Sequence, residues 1–286
     1  PRSINGCHFS NHAIVITLFR RGIIFKEHNL DIPKTWDEFM ALCQKLEDAG
    51  IQPLEESYKD SAMAGHYRGG AMAALFPDGA LWLAECASDP NKKPSDNPDY
   101  RTFAEKAIQI MDYCNEDVFG IPQTQAMENF ANGQSAMMIY GSYGRGTFMV
   151  ANPDLNLGVF PIPGLTEEPG LVYAGVDACF CVSGKATPEE QDAGLKWIEF
   201  LTRPENAQKW SDTEGAPSAI DGVQYGSEGS APMLDRIKEG KVREWKAYYD
   251  SRFSDTEAFQ GLLMDRNVDQ FLKNVDEVWA NAHISG

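Results

Sequence analysis

Apolar residues recur every three or four positions in several segments of the chain, and these segments begin with residues that cap helices. Thr35 is followed at the third helical position by Glu38, and Thr187 is followed in the same way by Glu190, so both stretches are capping boxes. A further periodic segment follows Asn267. The second of these helices carries its apolar stripe on Ala193, Trp197, Ile198 and Leu201. The pattern predicts helices that begin at these three positions.

Between the helical segments lie short apolar runs that favour strands, at 13–19, 136–140, 155–160 and 171–182. Stretches rich in proline, glycine, serine and aspartate, at 88–98 and 221–232, indicate loops. Because strands alternate with helices, the chain is predicted to fold into α/β layers. Its 286 residues exceed what one compact core usually holds, so two lobes are expected.

The net charge of the chain limits the classes of partner that it is expected to bind. Lys and Arg number 25 against 42 Asp and Glu, which gives a net charge of −17. This balance argues against binding to nucleic acid or to an anionic membrane surface, because phosphates would be repelled. It suits a neutral or cationic small ligand, and equally a protein whose acidic residues only maintain solubility. No apolar run approaches the length of a membrane span, and 13–19 lacks the flanks of a signal peptide.

The sequence contains no recognisable catalytic or metal-binding motif. The six cysteines form no CxxC pair and have no histidine at zinc-site spacing, so most are predicted to be buried, with disulfides left open. HExxH, GxSxG and EF-hand patterns are absent, and neither a cofactor nor a metal is implied. A pair of carboxylates of the glycosidase type stays open, because acidic residues are abundant.

The stretch from Gly141 to Gly146, GSYGRG, is the most informative short segment. Its spacing fits neither GxGxxG nor a Walker A loop, so an anion cradle is disfavoured. It is typical of a strand, a glycine turn and a helix that Ser142 caps and that runs to about 151. This places Tyr143 at the carboxyl end of a strand, where open α/β sheets bind ligands. Tyr143 is therefore a candidate ligand platform, and the alternative is an aromatic side chain packed under a loop.

Other candidates stand at the ends of predicted elements. Asp177 interrupts the apolar run YAGVDACFCV, where a carboxylate must be hydrogen-bonded or face a cleft. Asn11 and His12 precede the first strand, and His66 and Tyr67 precede a helix that is expected to start at the Gly-Gly pair of residues 69 and 70. Each of these residues has a structural alternative, either a satisfied Asp at a strand bend or a packed aromatic side chain.

Four stretches carry a resemblance to a known family. They are PKTWDEFMALCQKLEDAGIQPL at 33–54, FANGQSAMMIYGSY at 130–143, NPDLNLGVFPIPG at 152–164 and GVDACFCVSGKATPEEQDAGLKWIEFLTRPENAQKW at 175–210. In content and order they resemble the extracellular solute-binding proteins of ABC sugar importers, the group that includes maltose-binding protein. The resemblance extends over most of the chain.

The resemblance implies an α/β, two-lobed periplasmic-binding-protein-like fold with hinge crossings. Residues 1–170 would build mainly a C-terminal-type lobe, 171–219 would belong to the N-terminal-type lobe, and 220–286 would return to the first lobe as helices. The stretch at 4–9 resembles one that follows a long half-lobe in the family, so a truncated chain with an incomplete first lobe is expected. The implied ligand-binding residues are Asn11, His12, His66, Tyr67, Tyr143, Arg145, Asp177 and Arg252, with Tyr143 stacking on the sugar.

The implied function is the capture of a sugar or oligosaccharide in an interlobe cleft, for delivery to the permease subunits of an ABC transporter. No catalysis is implied. The resemblance places the protein outside the cell, in the periplasm or at the surface through a lipid anchor in the missing N-terminal part. A carbohydrate-active enzyme, a binder of a cationic or peptide ligand, and a remnant without transport function are the alternatives.

Overall fold

The computed structural model describes residues 8–10, 13–168, 171–176, 179–214, 218, 220–224, 231–244 and 253–284. The strands are β1 (His8–Ser10), β2 (Ala13–Arg21), β3 (Gln52–Leu54), β4 (Ser135–Gly141), β5 (Leu157–Phe160), β6 (Val172–Val176), β7 (Cys179–Cys181) and β8 (Val242–Glu244). The helices are α1 (Gly22–Glu27), α2 (Trp36–Asp48), α3 (Ser61–Leu75), α4 (Gly79–Ser88), α5 (Pro98–Ala107), α6 (Gln123–Asn132), α7 (Gly144–Ala151), α8 (Pro188–Leu201), α9 (Pro204–Glu214), α10 (Ala231–Lys238), α11 (Thr256–Asp265) and α12 (Val268–Ile284).

A mixed, six-stranded sheet organises the fold, and β2 lies at its centre. The sheet runs in the order β3-β4-β2-β6-β8, and β5 pairs with β2 on the edge that it shares with β6. Strand β2 is antiparallel to β4, β5 and β6, whereas β3 is parallel to β4 and β6 is parallel to β8. Strands β1 and β7 form a separate two-stranded sheet. The chain therefore passes between two sheets after Ser10 and again after Val176.

Helices cover both faces of the large sheet, so its central strands are apolar on both sides. Leu18 and Ile139 face a large core formed with α2, α3, α5, α11 and α12. The adjacent pair in the register, Phe19 and Met138, faces a smaller core formed with α6 and α7. All seven residues of β4 are buried, which explains why its sequence is a continuous apolar run rather than an alternating one.

Helix α3 packs closely on the sheet at a pair of glycines on its buried side. A Cβ at Gly69 would lie 2.1 Å from Cε1 of Tyr173, and one at Gly70 would lie 2.5 Å from Cδ1 of Ile162. Side chains larger than hydrogen at these two positions would push the helix away from the strands. The close approach brings the N-terminal half of α3 to the carboxyl end of β4.

Most predicted elements are confirmed with small shifts of their ends. The helix start predicted at Gly69 is wrong, because α3 begins at Ser61 and contains His66 and Tyr67. Thr35 and Thr187 form complete capping boxes with Glu38 and Glu190. The run at 171–182 divides into β6 and β7, and the run at 155–160 becomes a strand only from Leu157. On α8, Ile198 and Leu201 of the predicted stripe are buried, but Trp197 is 56% exposed and stacks on Phe200.

The cap predicted at Ser142 is wrong. Helix α7 begins at Gly144 after Tyr143, and no side chain caps it. Ser142 is buried instead: its hydroxyl accepts a hydrogen bond from the Val15 N–H, 3.2 Å away, and its own N–H donates to the Val15 carbonyl. The hydroxyl thus holds the end of β4 to β2. The predicted end of this helix, at about 151, is confirmed.

The described residues also bear on the sequence interpretation of the cysteines and of membrane spans. Cys43 and Cys86 are buried free thiols, as predicted, whereas the free thiol Cys181 is exposed. None of the described helices combines the length and the apolar character that crossing a membrane requires.

Candidate functional site

The candidate site lies where the parallel strands β3 and β4 end. Carboxyl ends of parallel strands meet at one edge of a sheet, and open α/β sheets bind ligands at that edge. After β3 the chain continues with Glu55, Glu56 and Ser57, and after β4 it continues with Ser142 and Tyr143. Both segments are therefore carried by rigid strands of the core.

Tyr143 belongs to a cluster of three aromatic rings. Its ring centroid lies 5.1 Å from that of Tyr140 with an interplanar angle of 63°, and 6.3 Å from that of His66 at 75°. His66, on α3, also meets Tyr140 edge-on at 6.2 Å. Tyr140 is buried, whereas His66 and Tyr143 are partly exposed. The structure thus brings two of the predicted site residues together at the end of β4.

Tyr67 lies apart from this aromatic cluster, although it follows His66 directly. Each helical residue is turned by about 100° from the one before it, so neighbours in sequence face different surroundings. Tyr67 is 1% exposed, its hydroxyl donates to the Ala107 carbonyl at 2.7 Å, and its ring stacks on Tyr58. The structure places Tyr67 in the core, where its hydroxyl is already bonded.

Next to the aromatic cluster is a small pocket with both polar and apolar walls. Its lining residues are Glu56, Ser57, Met63, His66, Gln123, Met138, Ile139 and Tyr140. The side chains of Gln123 and His66 can donate and accept hydrogen bonds, and the two methionines supply soft apolar surface. Within the described residues that line it there is no lysine or arginine. The pocket therefore suits a polar ligand that carries no acidic group.

Glu55 and Glu56 are acidic residues of this region that sequence reasoning missed. Glu56 is 3% exposed, and its Oε1 accepts the Ile139 N–H at 2.6 Å. Glu55 accepts a bond from the Asn129 amide at 2.7 Å. Burial raises the pKa of the Glu55 carboxyl, and it raises the pKa of Glu56 well above its ordinary range. The available signal was a pair of acids directly after a short apolar strand, in QPLEES.

This shift makes the stability of the protein depend on pH in a defined direction. Because the folded state binds the Glu56 proton more tightly than the unfolded chain does, the free energy of unfolding falls as pH rises above about 4.3. Glu56→Gln keeps an acceptor for the Ile139 N–H and removes the titration. We expect the variant to gain stability relative to wild type as pH is raised from about 4 to about 8, measured by urea unfolding.

A control for this effect is Glu116→Gln, because Glu116 is exposed although it follows Asn115, whose Oδ1 accepts a hydrogen bond from the Glu56 N–H. The interpretation would be contradicted if both variants changed in parallel with pH. It would also be contradicted if Glu56→Gln lost stability at every pH.

The remaining predicted site residues are placed as follows. Arg145 is the second residue of α7, partly exposed, and its N–H donates to the Ser142 carbonyl at 3.3 Å. Asn11, His12, Asp177 and Arg252 lie outside the described residues. Across the described ranges, no group of three or more His, Cys, Asp or Glu side chains is arranged to hold a metal ion.

Comparison with known proteins extends this description to the whole chain. The multiple sugar-binding protein of Streptococcus mutans is 24% identical over 203 residues, which are 70% of this chain and 48% of that protein. The chain thus spans about half the length of this curated relative. The solved structure of the solute-binding protein RafE in complex with raffinose has a TM-score of 0.84 at 22% identity, covering 97% of this chain and 73% of that one.

A second solved structure is similar to this chain over nearly the whole of its length, as the first is. A binding protein of an ABC transporter from Bifidobacterium animalis subsp. lactis, in complex with mannobiose, has a TM-score of 0.73 at 17% identity, covering 98% of this chain and 71% of that one. These matches confirm the predicted fold class. The model of the family described as bacterial extracellular solute-binding protein matches residues 13–233, which is more than half of the chain. The chain therefore belongs to the bacterial extracellular solute-binding protein family.

Proposed function

We propose that this chain binds a carbohydrate at the carboxyl ends of β3 and β4 and that it serves the permease subunits of an ABC importer. The observation that carries the proposal is the aromatic cluster of His66, Tyr140 and Tyr143 beside the pocket that contains Glu56 and Gln123. Sugars have apolar C–H faces that pack on aromatic rings, and hydroxyl groups that both donate and accept hydrogen bonds. The site offers both kinds of surface within one small region.

The relatives support this assignment. Similar proteins have been solved in complex with raffinose, stachyose, mannobiose and maltose. The matched Streptococcus mutans protein is described as sugar-binding, and a neighbour from Bifidobacterium animalis is described as part of an ABC transporter. In keeping with the family, the protein works outside the cytoplasm, in the periplasm or at the cell surface.

The proposal includes two lobes that close on the ligand. The separate sheets support it: β1 and β7 pair with each other, and β2 and β6 pair within the large sheet. Because Val172–Val176 pairs with β2 in the large sheet, we propose that the second crossing follows Val176. In the sequence, Asn11 and His12 come between β1 and β2, and Asp177 comes between β6 and β7. Closure about such crossings is the hinge motion of two-lobed binding proteins.

The two acids of the site favour binding over catalysis. Glu55 and Glu56 are adjacent at the end of one strand, and each is held by a donor of the scaffold, Asn129 or Ile139. A glycosidase needs two carboxyl groups on opposite sides of the bond that is cleaved. The family is one of solute-binding proteins, which agrees with capture and release of an unmodified sugar.

The proposal is tested by titration calorimetry of the full-length protein against raffinose, stachyose, mannobiose, maltose and a chitin oligosaccharide. We expect saturable heat with at least one of them, and unchanged sugar by chromatography after incubation. Spermidine and a mixed peptide pool test the alternative ligands. Heat only with spermidine or peptides, or no heat with any sugar, would contradict the proposal, and the appearance of shorter sugars would favour an enzyme.

A further inference from the structure

Two glycines lie against two tyrosine rings at the end of β4. A Cβ built on Gly141 would lie 2.2 Å from Cε1 and 2.7 Å from Cδ1 of Tyr143. One built on Gly144 would lie 2.4 Å from Cδ1 of Tyr140. Non-bonded carbon atoms in well-packed proteins stay about 3.5–4.0 Å apart, so neither position accepts a methyl group while the rings stay where they are.

The need for glycine here is one of space and not of backbone conformation. The glycines with positive φ are, among the described residues, Gly50, Gly133, Gly222 and Gly240. Gly141 has a φ that other residues adopt, and it pairs with Ile16 in regular antiparallel register. Alanine at 141 is therefore compatible with the strand, and what it displaces is the Tyr143 ring.

The Tyr143 ring is confined on three sides. Gly141 lies against its edge, and the rings of Tyr140 and His66 meet it edge-on. Tyr140 is in turn held by Gly144 and by Phe148, whose ring centroid is 6.2 Å away. A side chain added at Gly141 pushes Tyr143 out of this arrangement by rotation about its χ angles, which requires no change in the fold.

We infer that Gly141 is a positioning residue of the ligand site: it sets the plane of the Tyr143 ring, and so determines whether a sugar face can stack on it. This inference rests on the proposed function. Gly141 itself contributes no side chain to the ligand. Its effect on affinity passes through Tyr143, which makes the two positions strongly coupled.

The test is a double-mutant cycle with Gly141→Ala, Tyr143→Ala and the double variant, titrated by calorimetry with the sugar that wild type binds most tightly. We expect Gly141→Ala to weaken binding by about 5- to 150-fold, the range for loss of a stacking contact. In the Tyr143→Ala background the same change should have little further effect. Gly261→Ala is the matched control, because a Cβ there meets no atom within 4 Å.

Equal losses from Gly141→Ala in the two backgrounds would overturn the inference, because the glycine would then act through the strand. Unchanged affinity would overturn it as well. A second readout is independent of sugar and uses nuclear magnetic resonance spectra of protein with isotope-labelled tyrosine rings. The variant Tyr143→Phe identifies the Tyr143 signals. Gly141→Ala should shift these signals, and Gly261→Ala should not. If wild type bound no sugar but these signals shifted, the proposed function would fail while the positioning of the ring stood. If they did not shift, the positioning would fail.

Discussion

Asp255→Ala is expected to lower the free energy of unfolding by about 3–5 kcal/mol, the range for breaking a buried ion pair from one side. Asp255 is 1% exposed, and its Oδ2 accepts hydrogen bonds from Nη2 of Arg68 and from the Tyr100 hydroxyl, both at 2.6 Å. All three side chains are buried. Removing the carboxylate takes away the counter-charge that lies 2.6 Å from the buried Arg68 cation, and the cost of burying that cation sets the size of the effect more than the lost attraction does.

The chain provides a matched control at the same distance. Nη2 of Arg101 lies 2.6 Å from Oδ1 of Asp269, but these side chains are 45% and 82% exposed. Solvent and salt screen exposed pairs, so Asp269→Ala should lower the free energy of unfolding much less than Asp255→Ala does. Urea unfolding of both variants measures the two losses. Similar losses would show that burial does not govern the strength of the Arg68–Asp255 interaction.

Tyr143→Ala is expected to weaken sugar binding by about 1–3 kcal/mol, or about 5- to 150-fold, if the ring stacks on the ligand. Tyr143→Phe should cost much less, because the ring face stays and only the hydroxyl is lost. The ring is partly exposed at the end of β4, so its removal should leave the fold nearly intact. Calorimetry gives the affinity of both variants, and thermal unfolding gives their stability.

The opposite outcome would identify Tyr143 as a core residue. Deleting a buried aromatic side chain leaves a cavity and costs about 3–5 kcal/mol of stability. A loss of that size in Tyr143→Ala, with unchanged sugar affinity in the folded fraction, would remove Tyr143 from the site. The neighbouring Tyr140 is buried, so Tyr140→Ala is expected to lose stability by about that amount.

The parts of the fold that the sequence predicts well are those fixed by local interactions. The capping boxes at Thr35 and Thr187 need only residues three positions apart, and both form as predicted. The buried strand β4 is recognisable because a strand covered on both faces is apolar throughout. The position of Tyr143 follows from that strand and from the glycine that ends it.

The parts that the sequence does not determine depend on contacts between distant segments. Tyr67 and His66 are neighbours on one helix, and only the packing of α3 decides which of them faces the pocket. Serine is a residue type that often caps helices, but the Ser142 hydroxyl instead accepts a hydrogen bond from the N–H of Val15, 127 positions away. Glu56 is buried because β4 supplies an N–H group for it, and that pairing is not visible in QPLEES.

The central place of β2 has a consequence for how the protein is made. In the described part of the chain every strand that pairs with β2 lies after residue 134, and the Thr17 hydroxyl reaches the Phe160 carbonyl across 143 residues. At roughly 5–20 residues per second, a ribosome needs on the order of ten seconds to bridge that interval. Val15, Ile16, Leu18 and Phe19 therefore emerge long before their partners, and the sheet closes late because non-local pairing is slow. During that period the apolar side chains of β2 are open to wrong partners.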